Sequence, residues 1–143
     1  MRVFVDADGC PVVDITVRLS AQAGAECLLL CDTAHRIVRD SAQTLVFDKG
    51  ADSVDFAIAN RVQPGDVVIT QDYGLAAMCL ARQATVLHQD GWFYTRDNID
   101  ALLLQRHESR KYRASGGRMK GPAKRRPEQD RAFENVLQKL FQG

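Results

Sequence analysis

Short apolar runs, too brief to be helices, alternate along this chain with longer stretches whose apolar residues recur every three or four positions. That alternation constrains the fold more than any other feature. The runs are residues 2–6 (Arg-Val-Phe-Val-Asp), 26–31, 44–47, 66–70 and 85–88, and Asp66-Val-Val-Ile-Thr70 is the cleanest buried-strand signal among them. Strands alternating with helices predict an α/β domain with a mostly parallel central sheet, flanked by helices on both faces. Asp90-Gly91, between the last of these strands and Trp92-Phe93-Tyr94, is a hairpin-turn signature and adds an antiparallel edge.

Between the strands the helical stretches have recognisable limits. The first opens at Pro11, presents Val12, Ile15, Thr16, Leu19 and Ala23 on one face, and stops at Gly24. Asp14, Arg18 and Gln22 recur every fourth residue on its other face. A second runs from Asp52 to Val62 and ends at Pro64-Gly65; a third spans Leu75 to Arg82. Residues 97–113 form a helix capped by Asp97 or Asn98, and the last helix starts at Pro127, with Phe133, Val136, Leu137, Leu140 and Phe141 as its core stripe. The expected organisation is an α/β body over residues 1–113, a basic, glycine-rich loop over 114–126, and a C-terminal helix over 127–143 packed on the same body.

No apolar run is long enough to cross a bilayer, and the N-terminus enters the first strand with no signal-peptide pattern, so the expected location is cytoplasmic, with no membrane partner. Cys10, Cys27, Cys31 and Cys79 lie scattered in apolar stretches without zinc-site spacing, which predicts reduced core residues, with Cys10, inside the Asp6–Pro11 motif, as the candidate exception. The charge is divided unevenly. Residues 1–105 carry 8 Lys/Arg against 14 Asp/Glu, and residues 106–143 carry 11 against 4, so an acidic body precedes a basic tail. Such a division suits cations held by the body and polyanions held by the tail.

In a parallel sheet, ligands gather beyond the carboxyl ends of the strands. Asp6 and Asp8 follow the first strand, Asp72 follows the strand ending at Thr70, and Asp52 and Asp55 lie three residues apart at a helix start. Asp52 and Asp72 also suit helix capping, and Asp55 suits an exposed helix surface. Brought together, these carboxylates would repel one another unless a cation neutralised them, and Mg²⁺ or Mn²⁺ fits an all-oxygen site. The basic segment supplies Arg106, Arg110, Lys111, Arg113, Arg118, Lys120, Lys124, Arg125 and Arg126 as candidate phosphate contacts for nucleic acid, RNA first. No Walker loop, Ser-His-Asp arrangement or GxGxxG is present, and His35, His88 and His107 offer no convincing catalytic arrangement.

Asp6-Ala-Asp-Gly-Cys-Pro11, Gly50-Ala-Asp-Ser-Val-Asp55, Gly65-Asp-Val-Val-Ile-Thr-Gln-Asp-Tyr-Gly-Leu-Ala76 and Asn98-Ile-Asp100, with the tail from Arg113 to Arg126, resemble the YaiI/YqxD family of bacterial proteins. That family is in turn similar to the PIN-like nuclease superfamily. The resemblance implies a PIN-like three-layer domain and a metal-dependent nuclease acting on RNA or single-stranded nucleic acid. It implies Asp6, Asp8, Asp52 and Asp72 as metal ligands, Asp55 as a further catalytic acid, and Ser53 and Thr70 as supporting residues. Two other functions compete. One is an RNA- or ribosome-binding module with a structural metal. The other is a haloacid-dehalogenase-type phosphatase with Asp6 as nucleophile and Asp8 as general acid, for which Lys49 is the only lysine outside the tail.

Overall fold

The computed structural model describes residues 1–50, 53–117 and 123–143. Its strands are β1 (Arg2–Asp6), β2 (Glu26–Asp32), β3 (Gln43–Phe47), β4 (Val67–Ile69), β5 (Thr85–Leu87) and β6 (Phe93–Tyr94). Its helices are α1 (Val13–Ala23), α2 (Ser53–Arg61), α3 (Tyr73–Ala81), α4 (Arg96–Ala114) and α5 (Pro127–Gln142). The strands form one six-stranded sheet in the order β3-β2-β1-β4-β5-β6, parallel throughout except for the β5–β6 edge pair. This is the α/β sheet with an antiparallel edge that the apolar runs predict.

The reason the runs are continuous rather than alternating is that both faces of the sheet are covered. Val3 and Val5 of β1 face one core with Cys27, Leu29 and Cys31, closed by Val13, Val17 and Leu19 of α1 and by Phe133 and Leu137 of α5. Phe4 faces the other with Leu28 and Leu30, closed by Ile58 of α2, Leu75 and Cys79 of α3 and Ile99 of α4. All four cysteines are free, and Cys27, Cys31 and Cys79 are buried in these cores.

Several boundaries move for local reasons. α1 begins at Val13, where the Thr16 amide and hydroxyl both donate to the Val12 carbonyl; Val17 and Ser20 join its buried face, and Ala23 is exposed. α3 starts two residues before Leu75 because Asp72 caps it, its carboxylate accepting from the Leu75 amide at 3.0 Å. The cap of α4 is Thr95 rather than Asp97 or Asn98. Thr95 accepts from the Asn98 amide while Asn98 Oδ1 accepts from the Thr95 amide, a reciprocal pair that satisfies two orphan donors. The expected start of the second helix at Asp52 lies outside the described residues.

The C-terminal helix is fastened to the body at three points. Its apolar stripe packs on β1 and α1, and Glu134 pairs with Arg18 of α1. Its backbone also crosses the β5–β6 turn so closely that a Cβ on Gly91, at φ +89°, would lie 2.8 Å from the Ala132 carbonyl group. Among the described residues, no helix is long and apolar enough to cross a membrane.

Phe133 is fully buried at the centre of this contact. We expect Phe133→Ala to lower unfolding free energy by roughly 3–5 kcal/mol with one cooperative transition retained, measured by urea denaturation. A loss under roughly 1 kcal/mol, within the range of surface substitutions, would mean that α5 does not share the core.

Candidate functional site

The chain runs from β1 outward to β2 and β3, then returns to pair β4 with β1 on its other side. The strand order therefore reverses at β1, and the crevice beyond such a reversal is where open α/β sheets bind ligands. An open cleft of about 460 Å³ lies there. Asp6 and Asp8 reach it from the end of β1, Asp32 from the end of β2, Ser53 and Asp55 from the start of α2, and Gln71, Asp72 and Tyr73 from the β4–α3 turn. Arg106 of α4 completes its lining.

Thr70 ties the two central strands together at this end. Its hydroxyl donates to Asp6 Oδ2 at 2.9 Å and accepts from the Asp72 amide at 3.0 Å. Its carbonyl accepts from the Tyr94 hydroxyl at 3.2 Å. Burial pushes the Asp6 carboxyl up to about 6; the Thr70 bond opposes that rise, and the charges of Asp72 and Asp8 add to it.

A second group of donors lies on the β2 side. Asp8 Oδ2 accepts from the Asp32 amide at 3.3 Å, and Asp32 Oδ1 lies 3.0 Å from His35 Nδ1. One ligand atom from each of Asp8, Asp32 and His35 falls within 4.8 Å of the others, a geometry that can hold a metal ion. Burial and the Asp32 charge raise the Asp8 pKa, against the Asp32 amide and His35. At Asp32 desolvation acts upward, but the His35 ring and the Ala34 and His35 amides outweigh it and lower the pKa. Among the described residues Asp8 Oδ1 is buried without a hydrogen-bond donor, with His35 Nδ1 3.9 Å away, an acceptor of the kind a cation would satisfy.

Of the acids expected from the sequence, Asp6, Asp8, Asp55 and Asp72 reach one cleft with Ser53, and Thr70 stands behind them. Asp52 lies outside the described residues. Asp32 and His35 were not expected. Asp32 is the last residue of a strand and obeys the same carboxyl-end rule as Asp6, while the Asp32-x-x-His35 spacing is the signal that could have paired them.

The basic residues divide. Arg106, Arg110 and Arg113 recur along one face of α4 and, with Tyr73, Gln105 and Ser109, line a groove of about 310 Å³ beside the cleft. Arg106 Nη1 lies 3.6 Å from Asp72 Oδ1. Lys111, Lys124 and Arg126 are exposed. Arg125 faces elsewhere: it bonds Asp130 and Asp90 at 2.7 Å each and the Gln89 carbonyl at 2.8 Å, fastening α5 to the edge hairpin. Arg118 and Lys120 lie outside the described residues. Cys10 is no reactive thiolate, since burial pushes its thiol up to about 11.

The family model described as "Uncharacterized BCR, YaiI/YqxD family" (DUF188) matches residues 4–143. A UPF0178 protein of Exiguobacterium sibiricum is 51% identical over 99% of this chain and 96% of its own length. UPF0178 proteins of Clostridium acetobutylicum and Natranaerobius thermophilus are 45% and 42% identical, over 99% of this chain and 97% and 96% of their own lengths. No solved structure matches. The chain belongs to the YaiI/YqxD family.

The raised Asp6 pKa carries a stability consequence. In metal-free protein the folded state keeps this proton up to about pH 6, whereas the unfolded chain releases it near 3.8. Stability therefore falls as pH rises through that window and levels off above it, at a cost of about 3 kcal/mol. Asparagine can still accept from Thr70, so we expect Asp6→Asn to match wild type near pH 4 and exceed it by about 1–3 kcal/mol above pH 7. Chemical denaturation in chelator across that range measures this; a difference that does not change with pH contradicts the assignment.

Proposed function

We propose that this YaiI/YqxD-family protein is a divalent-metal-dependent nuclease that hydrolyses phosphodiester bonds in RNA or another single-stranded nucleic acid. The observation that carries the reading is the convergence of Asp6, Asp8, Asp32 and Asp72 on one open cleft whose rim continues into an arginine-lined groove. Carboxylates alone would repel a phosphodiester, so a cation must stand between them.

Asp6 and Asp72, spaced by Thr70, would hold one cation, with Mg²⁺ or Mn²⁺ suiting their oxygen donors. Asp8, Asp32 and His35 offer a second donor set, whose imidazole favours Mn²⁺ over Mg²⁺. A cation held by these residues would polarise a phosphoryl oxygen and lower the pKa of water. Around it the protein's own groups position the strand. Arg106 faces the phosphate at the cleft, and Arg110 and Arg113 take the phosphates that follow along α4. Ser53 and Asp55, at the start of α2, would orient water and the leaving group from the cleft lining. Acids at the ends of parallel strands make this the arrangement expected of a PIN-like nuclease.

Asp72 is also a helix cap, and this favours a second reading: a nucleic-acid-binding module in which the cation is structural. The phosphatase reading is weaker. Among the described residues lining the cleft the cation is Arg106, with no lysine beside Asp6.

Wild type and an Asp6→Asn/Asp72→Asn double variant, purified identically, would be assayed on labelled single-stranded RNA and DNA with Mg²⁺ or Mn²⁺. Asparagine caps helices as well as aspartate, so the variant should fold. We expect metal-dependent cutting by wild type and a loss of at least about 100-fold in the variant. Equal cutting by both proteins, or none by either, would put the binding module first.

A further inference from the structure

Arg106 also borders a third hollow, which shares Asp55 and Asp72 with the acid cleft. It measures about 260 Å³ and is lined by Asp55, Phe56, Asp72, Gly74, Met78 and Arg106. That is below the roughly 300 Å³ at which pockets for drug-sized ligands begin, so it suits a planar fragment rather than a whole cofactor.

Its lining is half uncharged, with Phe56, Gly74 and Met78 beside Asp55, Asp72 and Arg106. Phe56 follows Asp55 on α2 and is 54% exposed, while Ala57, Ile58 and Ala59 beside it are buried. Met78 is a half-buried, polarisable surface on α3. Gly74 keeps the floor open: a Cβ there would lie 3.2 Å from Asp72 Oδ1 and 3.3 Å from Arg106 Nη1.

The charges on the rim separate the two hollows that flank the cleft. Here one guanidinium faces the carboxylates of Asp55 and Asp72, an unfavourable lining for phosphate. The α4 groove has three arginines and no carboxylate in its lining, which favours phosphate. A strand bound at the cleft would therefore lay its phosphates along the arginine groove and offer the Phe56 hollow an uncharged, flat group. An unpaired nucleobase is that group, because every base has a face that stacks on an aromatic ring.

We infer that Phe56, Met78 and Gly74 form a nucleobase subsite. The base adjoining the phosphate at the acid cleft stacks on Phe56, and Arg106 sits between that base and the backbone. The inference rests on the nucleic-acid reading of the cleft but not on cleavage.

Fluorescence anisotropy with Mg²⁺ present tests it without any cutting, using a labelled single-stranded RNA and an abasic sugar–phosphate strand of equal length, both with a hydrolysis-resistant phosphorothioate backbone. Phe56→Ala should weaken RNA binding about ten-fold, leave abasic-strand binding unchanged, and keep the wild-type salt dependence. Phe56→Tyr, which retains a stacking face, should restore the affinity. Equal weakening on both strands, no weakening on either, or no RNA binding by wild type would overturn the subsite. Cutting with Mn²⁺ but no Phe56 effect would remove the subsite alone, and a Phe56 effect without cutting would remove the nuclease alone.

Discussion

The hydroxyl of Thr70 joins the Asp6 carboxylate to the Asp72 backbone amide across two strand ends, and much of the molecule is arranged about it. By donating to Asp6 and accepting from the Asp72 amide, it holds the ends of β1 and β4 at the point where the strand order reverses. Its carbonyl anchors Tyr94, whose ring lies against Trp92, and Trp92 stacks on His88 at 4.3 Å between ring centres. That aromatic group stiffens the β5–β6 turn, onto which Gly91 and Arg125 bring α5. The acid cleft and the C-terminal helix are thus linked through one edge of the sheet.

The same arrangement sets a cost. Buried or crowded carboxylates destabilise a folded protein unless something compensates them. Here burial raises the Asp6 pKa, burial and the charge of Asp32 raise that of Asp8, and among the described residues Asp8 Oδ1 has no hydrogen-bond donor. A sequence under selection for stability alone would replace such a group with apolar residues. A cation in the cleft would supply the missing attraction.

Much of this was legible in the sequence because the sheet is covered on both faces. Val3 to Val5 and Val67 to Ile69 had to be apolar throughout, and runs of that length are readable as buried strands. Asp6 and Asp72 could be placed from strand ends alone. Asp32 obeys the same rule as the last residue of β2, but its nearness to Asp8 depends on β2 lying beside β1, which no local pattern states. His35 looked isolated for the same reason. Arg125 shows the converse limit: within a basic run it reads as a phosphate contact, but its partner Asp90 is 35 residues away, on the edge hairpin. At α4, Thr95, Asp97 and Asn98 are all competent caps, and only the reciprocal bond between Thr95 and Asn98 decides among them.

The central claim is that the carboxylate cleft is a cation site, and anomalous diffraction from crystals soaked in Mn²⁺ tests it most directly. The expected result is a manganese peak inside the cleft, ligated by Asp6 and Asp72, by Asp8, Asp32 and His35, or by both sets. An ordered cleft with no peak at saturating Mn²⁺, or peaks confined to carboxylates elsewhere on the surface, would contradict it.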